Sequence, residues 1–289
     1  VDAFEKANPG IKVKFNNTGT AEKTSTALTN AIAAGNGAPD AVMLEDPTVT
    51  QFAVTGDVID LSAYGADNLS DDFTAGPWNK LQYNGKPYAL PIDAGPEMFF
   101  YNKAVFDKAG VDGESIKTWD DYYEAAKKLK KIGVYIAADA GDASFYDAMI
   151  WLAGGHPFAT SADGKTVTVD LTGDDGTKTF TEFWQKMIDE GLIDTKAETW
   201  SEKWKRQLGS GDVASVFAGA WMPAMLLSDV PGGAGLWRVA QMPTADGRRT
   251  NAENGGSSLA VLQSTRKPDA AFRFVDYVCH DAAGIAERV

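Results

Sequence analysis

The chain has 289 residues, of which 44% are hydrophobic and 23% charged, enough apolar content for the cores of about two globular domains. Its 27 Lys and Arg residues against 40 Asp and Glu residues give a net charge of −13, which disfavours nucleic-acid binding because no basic face is available to replace condensed counterions. A single cysteine, Cys279, excludes an intrachain disulfide, and two histidines are too few for a His-rich metal site, so no metal or cofactor is expected.

Short apolar runs alternate with helical patterns along most of the chain, which predicts βα units and a mainly parallel sheet. Residues 1–7 read as the tail of a helix, so the sequence is expected to begin inside a mature protein. Residues 11–15 alternate between apolar and polar side chains as a strand does. A helix is predicted at 21–34 and a short buried strand at 41–44.

Local capping and turn signals mark the next elements. Asp46 and Pro47 suit the N-cap and the first position of a helix that ends at Gly56. Asn84 and Gly85 form a hairpin signature that leads into a strand. The predicted elements that follow are this strand at 89–93, a strand at 98–101, a helix to Ala109, and a helix that starts with a capping box at 118–121 and ends in the lysines of 127–131.

The second half of the chain continues the alternation. No internal repeat or low-complexity linker interrupts it, so two domains would be joined by strands that cross between them. The predicted strands are 134–138, 213–217, 237–241 and 258–262; the predicted helices are 145–152, 176–190, a helix beginning at Trp221, and 268–278; a second hairpin turn is predicted at Asp163 and Gly164.

Polar and aromatic residues directly after or before the predicted strands are the candidates for binding, because open parallel sheets place ligands at the ends of their strands. They are Glu45 and Asp46, Asp93, residues 139–142, Trp221 and residues 254–257. Carboxylates and amides bind hydroxyl groups, and an indole covers the apolar face of a sugar ring. This mixture favours a neutral ligand with many hydroxyl groups.

Structural explanations stand beside the functional ones. Asp46 also suits a helix cap, Asp93 a loop cap, and Trp221 a core position, whereas Glu45 has no comparable structural use. Other tryptophans are expected to be structural, including Trp200 and Trp204, four apart on a helical stretch. They also include Trp78, Trp119 and Trp237.

Catalytic signatures are absent: the sequence contains no Gly-x-Ser-x-Gly, Walker loop, His-Glu-x-x-His or calcium loop. The carboxylates Glu45 and Asp93 could in principle act as the acid and base of a glycosidase. The lack of a signature beside them favours binding over catalysis.

Four segments, in order along nearly the whole chain, carry a resemblance to one family. They are residues 4–13, 37–42, 85–91 followed by 100–103, and 211–214 with 219–221. Together they resemble the extracytoplasmic solute-binding proteins of ABC transporters, in the carbohydrate-binding group that includes maltose-binding protein. The family normally has a strand before the first of these segments and further helices after the last residues, so the sequence is expected to be truncated or incomplete at its ends.

The resemblance implies an α/β fold of two lobes, with a periplasmic-binding-protein-like cleft between lobes that are joined by crossing strands. It places the N-terminal lobe at residues 1–102 plus about 258–289 and the C-terminal lobe at 103–257. By motif position it implies a set of ligand-binding residues. These are Glu45, Asp46, Asp93, Gly95, Phe145, Tyr146, Trp151, Trp221, Asn254, Gly255 and Gly256.

The function that the resemblance implies is capture of a di- or oligosaccharide by a monomeric, non-catalytic receptor and its delivery to ABC transporter permease subunits. The receptor would be a lipoprotein on the cell surface or a periplasmic protein; no apolar run approaches the roughly 20 residues of a membrane span. Two alternatives remain. One is a glycoside-active enzyme that uses the same acids, and the other is a receptor for a non-sugar solute such as a polyamine.

Ligand binding is expected to make the protein more compact. The candidate residues are spread from Glu45 to Ser257, and a ligand that contacts all of them favours a closed state, because only this state makes all of the contacts. Small-angle scattering should give a smaller radius of gyration with saturating sugar than without it. An unchanged radius at saturation, confirmed by a binding measurement on the same sample, would contradict hinge closure.

Overall fold

The computed structural model describes residues 1–19, 21–161 and 166–287. The contacts divide the chain into two compact units: unit 1 is Val1–Ala94 with Gly255–Val289, and unit 2 is Gly95–Asn254. The first boundary falls eight residues before the predicted one at 102/103, and the second falls three residues before the predicted one at 257/258. The difference at the first boundary arises because the strand Glu97–Asn102 pairs with two strands of unit 2.

Helices account for most of the regular structure in both units. In the described residues they are α1 (Asp2–Ala7), α2 (Ala21–Ala34), α3 (Asp46–Thr55), α4 (Ala75–Lys80), α5 (Lys103–Lys108), α6 (Trp119–Lys131), α7 (Ala143–Leu152), α8 (Asp175–Asp189), α9 (Glu202–Ser210), α10 (Met222–Ser228), α11 (Pro268–Cys279) and α12 (Ala282–Ala286).

The strands are mostly shorter than the helices, and most of them pair with a strand that is distant in sequence. They are β1 (Ala41–Glu45), β2 (Gln82–Tyr83), β3 (Lys86–Pro87), β4 (Ala89–Pro91), β5 (Glu97–Asn102), β6 (Ala137–Ala138), β7 (Phe158–Thr160), β8 (Val167–Val169), β9 (Ile193–Asp194), β10 (Ser215–Gly219), β11 (Trp237–Ala240) and β12 (Ser257–Val261).

The prediction of a mainly parallel sheet is wrong for the described strands. In unit 1 the strand order is β1-β12-β4, and in unit 2 it is β10-β5-β11, with every neighbour antiparallel. Among the named strands, only β6 and β9 pair in parallel. Alternation of strands and helices predicts parallel pairing only when strands that follow each other become neighbours, and here distant strands do so instead.

The strand predicted at residues 11–15 is also wrong. These residues have no assigned strand structure, and the Phe15 side chain is 74% exposed. Apolar alternation makes a strand only where a partner edge supplies hydrogen bonds and a core covers one face. In β1, Val42 and Leu44 are buried but Met43 between them is exposed, so this strand is buried on one face and not on both.

Several local signals are confirmed. The Thr118 hydroxyl accepts from the Asp121 N–H, and the Asp121 carboxylate accepts from the Thr118 N–H, which forms the predicted capping box of α6. Asn84 and Gly85, with φ of 51° and 72°, form the turn between β2 and β3. The turn predicted at Asp163 and Gly164 lies outside the described residues.

Each unit has its own apolar core. In unit 1, α2 and α3 cover one face of the sheet through residues such as Leu28 and Phe52, and α11 covers the other through Val275. In unit 2, α6 and α8 pack through Tyr122 and Phe180 on one face, and α9 and α10 pack on the other; the clusters on these two faces contain Phe99 and Phe100, respectively. Consecutive β5 side chains therefore enter opposite cores. Within the described ranges, no helix combines the length and apolarity that crossing a membrane requires.

Candidate functional site

The sheet of unit 1 brings together residues that are more than 150 positions apart in sequence. Strand β12 lies between β1 and β4, and Ser257 stands opposite Glu45 in the register. The Asp93 carboxylate accepts a hydrogen bond of 2.7 Å from the Ser257 N–H. Glu45 and Asp93 therefore flank the start of β12, with Ser257 between them.

Gly256, the residue before β12, fits closely against Asp46. Its carbonyl accepts from the Asp46 N–H at 3.0 Å, and a Cβ added to Gly256 would lie 2.4 Å from Asp46 Oδ2. Its φ of 106° is in the region that favours glycine. The expected N-cap role of Asp46 is wrong: Glu45 holds the cap position, and Asp46 is the first residue of α3, with a buried side chain.

The two exposed carboxylates of this cluster have different environments. One oxygen of the Asp93 carboxylate accepts a hydrogen bond from the Ser257 N–H. The structural explanation of Asp93 as a loop cap therefore accounts for one of its two carboxylate oxygens. Glu45 has an exposed side chain, yet the surrounding protein raises the pKa of its carboxyl by desolvation. Both residues retain oxygen atoms that could accept from ligand hydroxyl groups.

In unit 2, Trp221 and Asn254 form the centre of a second group, which we call the indole platform. The Trp221 indole N–H donates to the Asn254 carbonyl at 3.0 Å, and the Asn254 N–H donates to the Gly95 carbonyl at 2.7 Å. Trp221 is the N-cap residue of α10 and follows the end of β10 with one residue, Ala220, between them. A Cβ on Gly219 would lie 2.3 Å from the indole nitrogen, so this close approach requires glycine.

Trp200 also belongs to the indole platform, although the sequence analysis predicts a structural role for it. It lies before α9, not on it, with a φ of 71°, and its side chain is 46% exposed. Its ring contacts Trp221 at 5.3 Å between centroids and the buried Trp204 at 5.4 Å. A bulky residue in this backbone region is strained, and such strain persists only where surrounding contacts hold it. The signal in the sequence was Ser201, a helix cap that separates Trp200 from the helix.

Glu97 is a second residue that sequence reasoning missed. It opens β5 opposite Gly219, is fully buried, and receives a hydrogen bond of 3.4 Å from the Asn254 side-chain amide. Burial raises the pKa of the Glu97 carboxyl to about 7, and the Asn254 bond lowers it slightly. The signal in the sequence was a carboxylate at the head of an otherwise apolar strand.

The three candidates on α7 do not belong to the indole platform by contact. Phe145 packs against Phe180 and Trp184 in the core, and the Tyr146 hydroxyl is 2.6 Å from Thr181 Oγ1. Trp151, at the other end of the helix, is 41% exposed. Phe145 therefore has a structural use, whereas Trp151 is open to a ligand.

Carboxylates, amides and indoles are groups that can bind a ligand with many hydroxyl groups. The described part of the chain holds no group of three or more His, Cys, Asp or Glu side chains placed to bind a metal ion. Unit 1 has carboxylates at the start of β12, and unit 2 has indoles, an amide and a buried carboxyl. Gly255, which has a φ of 90°, is the first residue of unit 1 after Asn254.

Comparison with known proteins identifies the family. Residues 1–284 match the family described as bacterial extracellular solute-binding protein. The chain therefore belongs to this family, and the resemblance found in the sequence is confirmed, as is the predicted α/β class of fold.

Relatives with known ligands are similar over most of the chain. A B. animalis subsp. lactis Bl-04 ABC transporter binding protein, solved with beta-1,6-galactobiose, is 53% identical with a TM-score of 0.89, over 98% of this chain and 69% of that one. The galacto-N-biose/lacto-N-biose I-binding protein of Bifidobacterium longum, solved with lacto-N-biose, is 28% identical with a TM-score of 0.84, over 100% and 71%. The lactose-binding protein of Rhizobium radiobacter is 28% identical over 83% of this chain. The match covers 56% of the length of that lactose-binding protein.

Replacement of Glu97 by Gln should remove one component of the pH dependence of stability. Because burial raises the pKa from 4.5 to about 7, the folded state keeps a proton between these pH values that the unfolded chain releases. The parent should lose up to roughly 3 kcal/mol of unfolding free energy as the pH rises through this window, and nothing further above it. Urea denaturation at several pH values should show a smaller loss for Glu97→Gln; equal losses would contradict the effect of burial.

Proposed function

We propose that this chain is the ligand-binding part of an extracytoplasmic receptor that takes up a di- or oligosaccharide and delivers it to the permease of an ABC transporter. The first candidate ligand is a disaccharide that contains galactose. Membership of the solute-binding family supports the receptor, and the ligands of the three relatives described above, beta-1,6-galactobiose, lacto-N-biose and lactose, support the sugar class. We further propose that this receptor is a monomer and that it is either lipid-anchored or free in the periplasm.

The observation that carries this proposal is the indole platform. The polar atom of Trp221 is already satisfied by the Asn254 carbonyl, so the partly exposed ring can offer its face to an apolar surface. The C–H face of a pyranose ring is such a surface. We extend the proposal to Glu45 and Asp93 as acceptors for sugar hydroxyl groups.

Truncation of Trp221 tests the platform. Trp221→Ala should weaken binding of beta-1,6-galactobiose by about 2 kcal/mol or more, roughly 30-fold, because the stacked ring is lost. Isothermal titration calorimetry with beta-1,6-galactobiose, lactose and lacto-N-biose measures both the affinity of the parent and its loss. The matched control is Leu227→Ala on α10, which removes a side chain that is 65% exposed and should leave affinity unchanged.

The competing explanation is a purely structural tryptophan. It predicts that Trp221→Ala lowers the free energy of unfolding by roughly 3–5 kcal/mol. Urea denaturation of the same variant separates the two explanations. A folded variant that binds sugar as tightly as the parent would show that Trp221 is not the platform.

We also propose that the protein leaves its sugar intact. Relatives at up to 53% identity are described as binding proteins, and Asp93 has an oxygen engaged by the backbone. Glu45→Gln and Asp93→Asn should each weaken binding, because an amide replaces a charged acceptor by a neutral one. Incubation of the parent with beta-1,6-galactobiose, followed by chromatography for free galactose, should show no product. Turnover that both amide variants abolish would favour the glycoside-active alternative.

A further inference from the structure

The Glu97 carboxyl is enclosed in unit 2 although nothing in the apolar sheet around it requires an acid. Its relative exposure is 0%, and Oε2 has no hydrogen-bond partner among the described residues. Burial of a polar atom without a partner destabilises the folded state, and more so if the group is charged. Such a position calls for a use that offsets this cost.

The other carboxyl oxygen connects Glu97 to the indole platform through one residue. Asn254 donates its side-chain amide to Glu97 Oε1 at 3.4 Å, and its backbone carbonyl accepts from the Trp221 indole N–H at 3.0 Å. The Glu97 backbone is held as well, because its N–H donates to the Ala252 carbonyl at 2.8 Å. Glu97 and Trp221 therefore act on the same asparagine.

We propose that Glu97 is a positioning residue for the sugar site: its enclosed carboxyl holds Asn254, and through it Trp221, in the arrangement that binds sugar, and the desolvation cost of ionising this buried group loosens the segment that carries Asn254. This inference rests on the proposed function. It assigns to Glu97 no contact with the ligand.

The neighbouring charged groups do not cause the pKa shift of Glu97, so we assign the pH dependence to ionisation of Glu97 itself. Strand β10 has no titratable residue, and Arg238 of β11 directs its guanidinium to the carbonyl groups of Gly235 and Trp237. Glu253 is the charged group on the segment that pairs with Pro96. Burial raises the pKa of Glu97 and the Asn254 bond lowers it, and neither Glu253 nor Arg238 is a cause of the shift.

Ionisation has a defined structural consequence. A buried carboxylate without a cationic partner is expensive, so the ionised group is stabilised when the segment that covers it opens to water. That segment includes Asn254, and its opening removes the carbonyl that holds the Trp221 indole. The fraction of molecules with an ordered indole platform then falls as the pH rises from about 4.5 to about 7 and is constant above this window, and apparent sugar affinity falls with this fraction.

The test compares three proteins across pH. Calorimetric titration of beta-1,6-galactobiose from about pH 4.5 to 8.5 should show parent affinity falling roughly tenfold between about pH 5 and 7 and staying nearly constant above pH 7. Glu97→Gln keeps an acceptor for Asn254 but cannot ionise, so its affinity should not change with pH over this range. Glu97→Leu has no acceptor for Asn254 and should bind weakly at every pH. A flat parent profile, or a Gln variant with the same profile as the parent, would overturn the proposal.

A readout without ligand separates this proposal from the proposed function. The tryptophan fluorescence of the ligand-free parent should change as the pH rises from about 4.5 to about 7 and stay constant above it, and the change should be absent in Glu97→Gln and strongly reduced in Trp221→Phe. If no sugar binds at any pH, the proposed function fails, while this transition still supports positioning of Trp221 by Glu97. A parent without the transition overturns the positioning role even if sugar binds.

Discussion

Antiparallel insertion of β12 between β1 and β4 is the constraint on which unit 1 depends. This strand comes from the far end of the chain, and it joins β1 and β4 into one sheet by pairing with both of them. The same pairing sets Ser257 beside Glu45 and Asp93 and presses Gly256 against Asp46. The acidic cluster is therefore a product of sheet register: a slip of one residue would turn every β12 side chain to the opposite face.

Unit 2 depends in a comparable way on one residue that is used several times. Asn254 offers its N–H, its carbonyl and its side-chain amide to three different partners, Gly95, Trp221 and Glu97. Most of the hydrogen-bonding capacity of one residue is thus spent on holding the indole platform against the start of β5. An asparagine in such a position is a structural connector as well as a candidate ligand contact.

Features determined by neighbours in sequence could be predicted. The capping box of α6, the turn at Asn84 and Gly85, and the bounds of α2 follow from local hydrogen bonding and periodicity. Strand direction could not be predicted, because it depends on which distant strands meet. Glu97 and Trp200 were missed for a related reason: burial of a carboxyl and the φ of a residue outside a helix arise only when remote segments pack. Motif order along the chain identified the family where local physics could not.

The discontinuity of unit 1 has a consequence for the order in which the protein forms. Unit 2 is a single continuous stretch, Gly95–Asn254, so all of its contacts can form as soon as that stretch leaves the ribosome or the translocation channel. Unit 1 must wait, because the strand that joins its sheet is made only after unit 2 is complete. Residues 1–94 therefore spend the synthesis of 160 further residues without their central strand, and this nascent half is the part of the chain that most needs protection by chaperones.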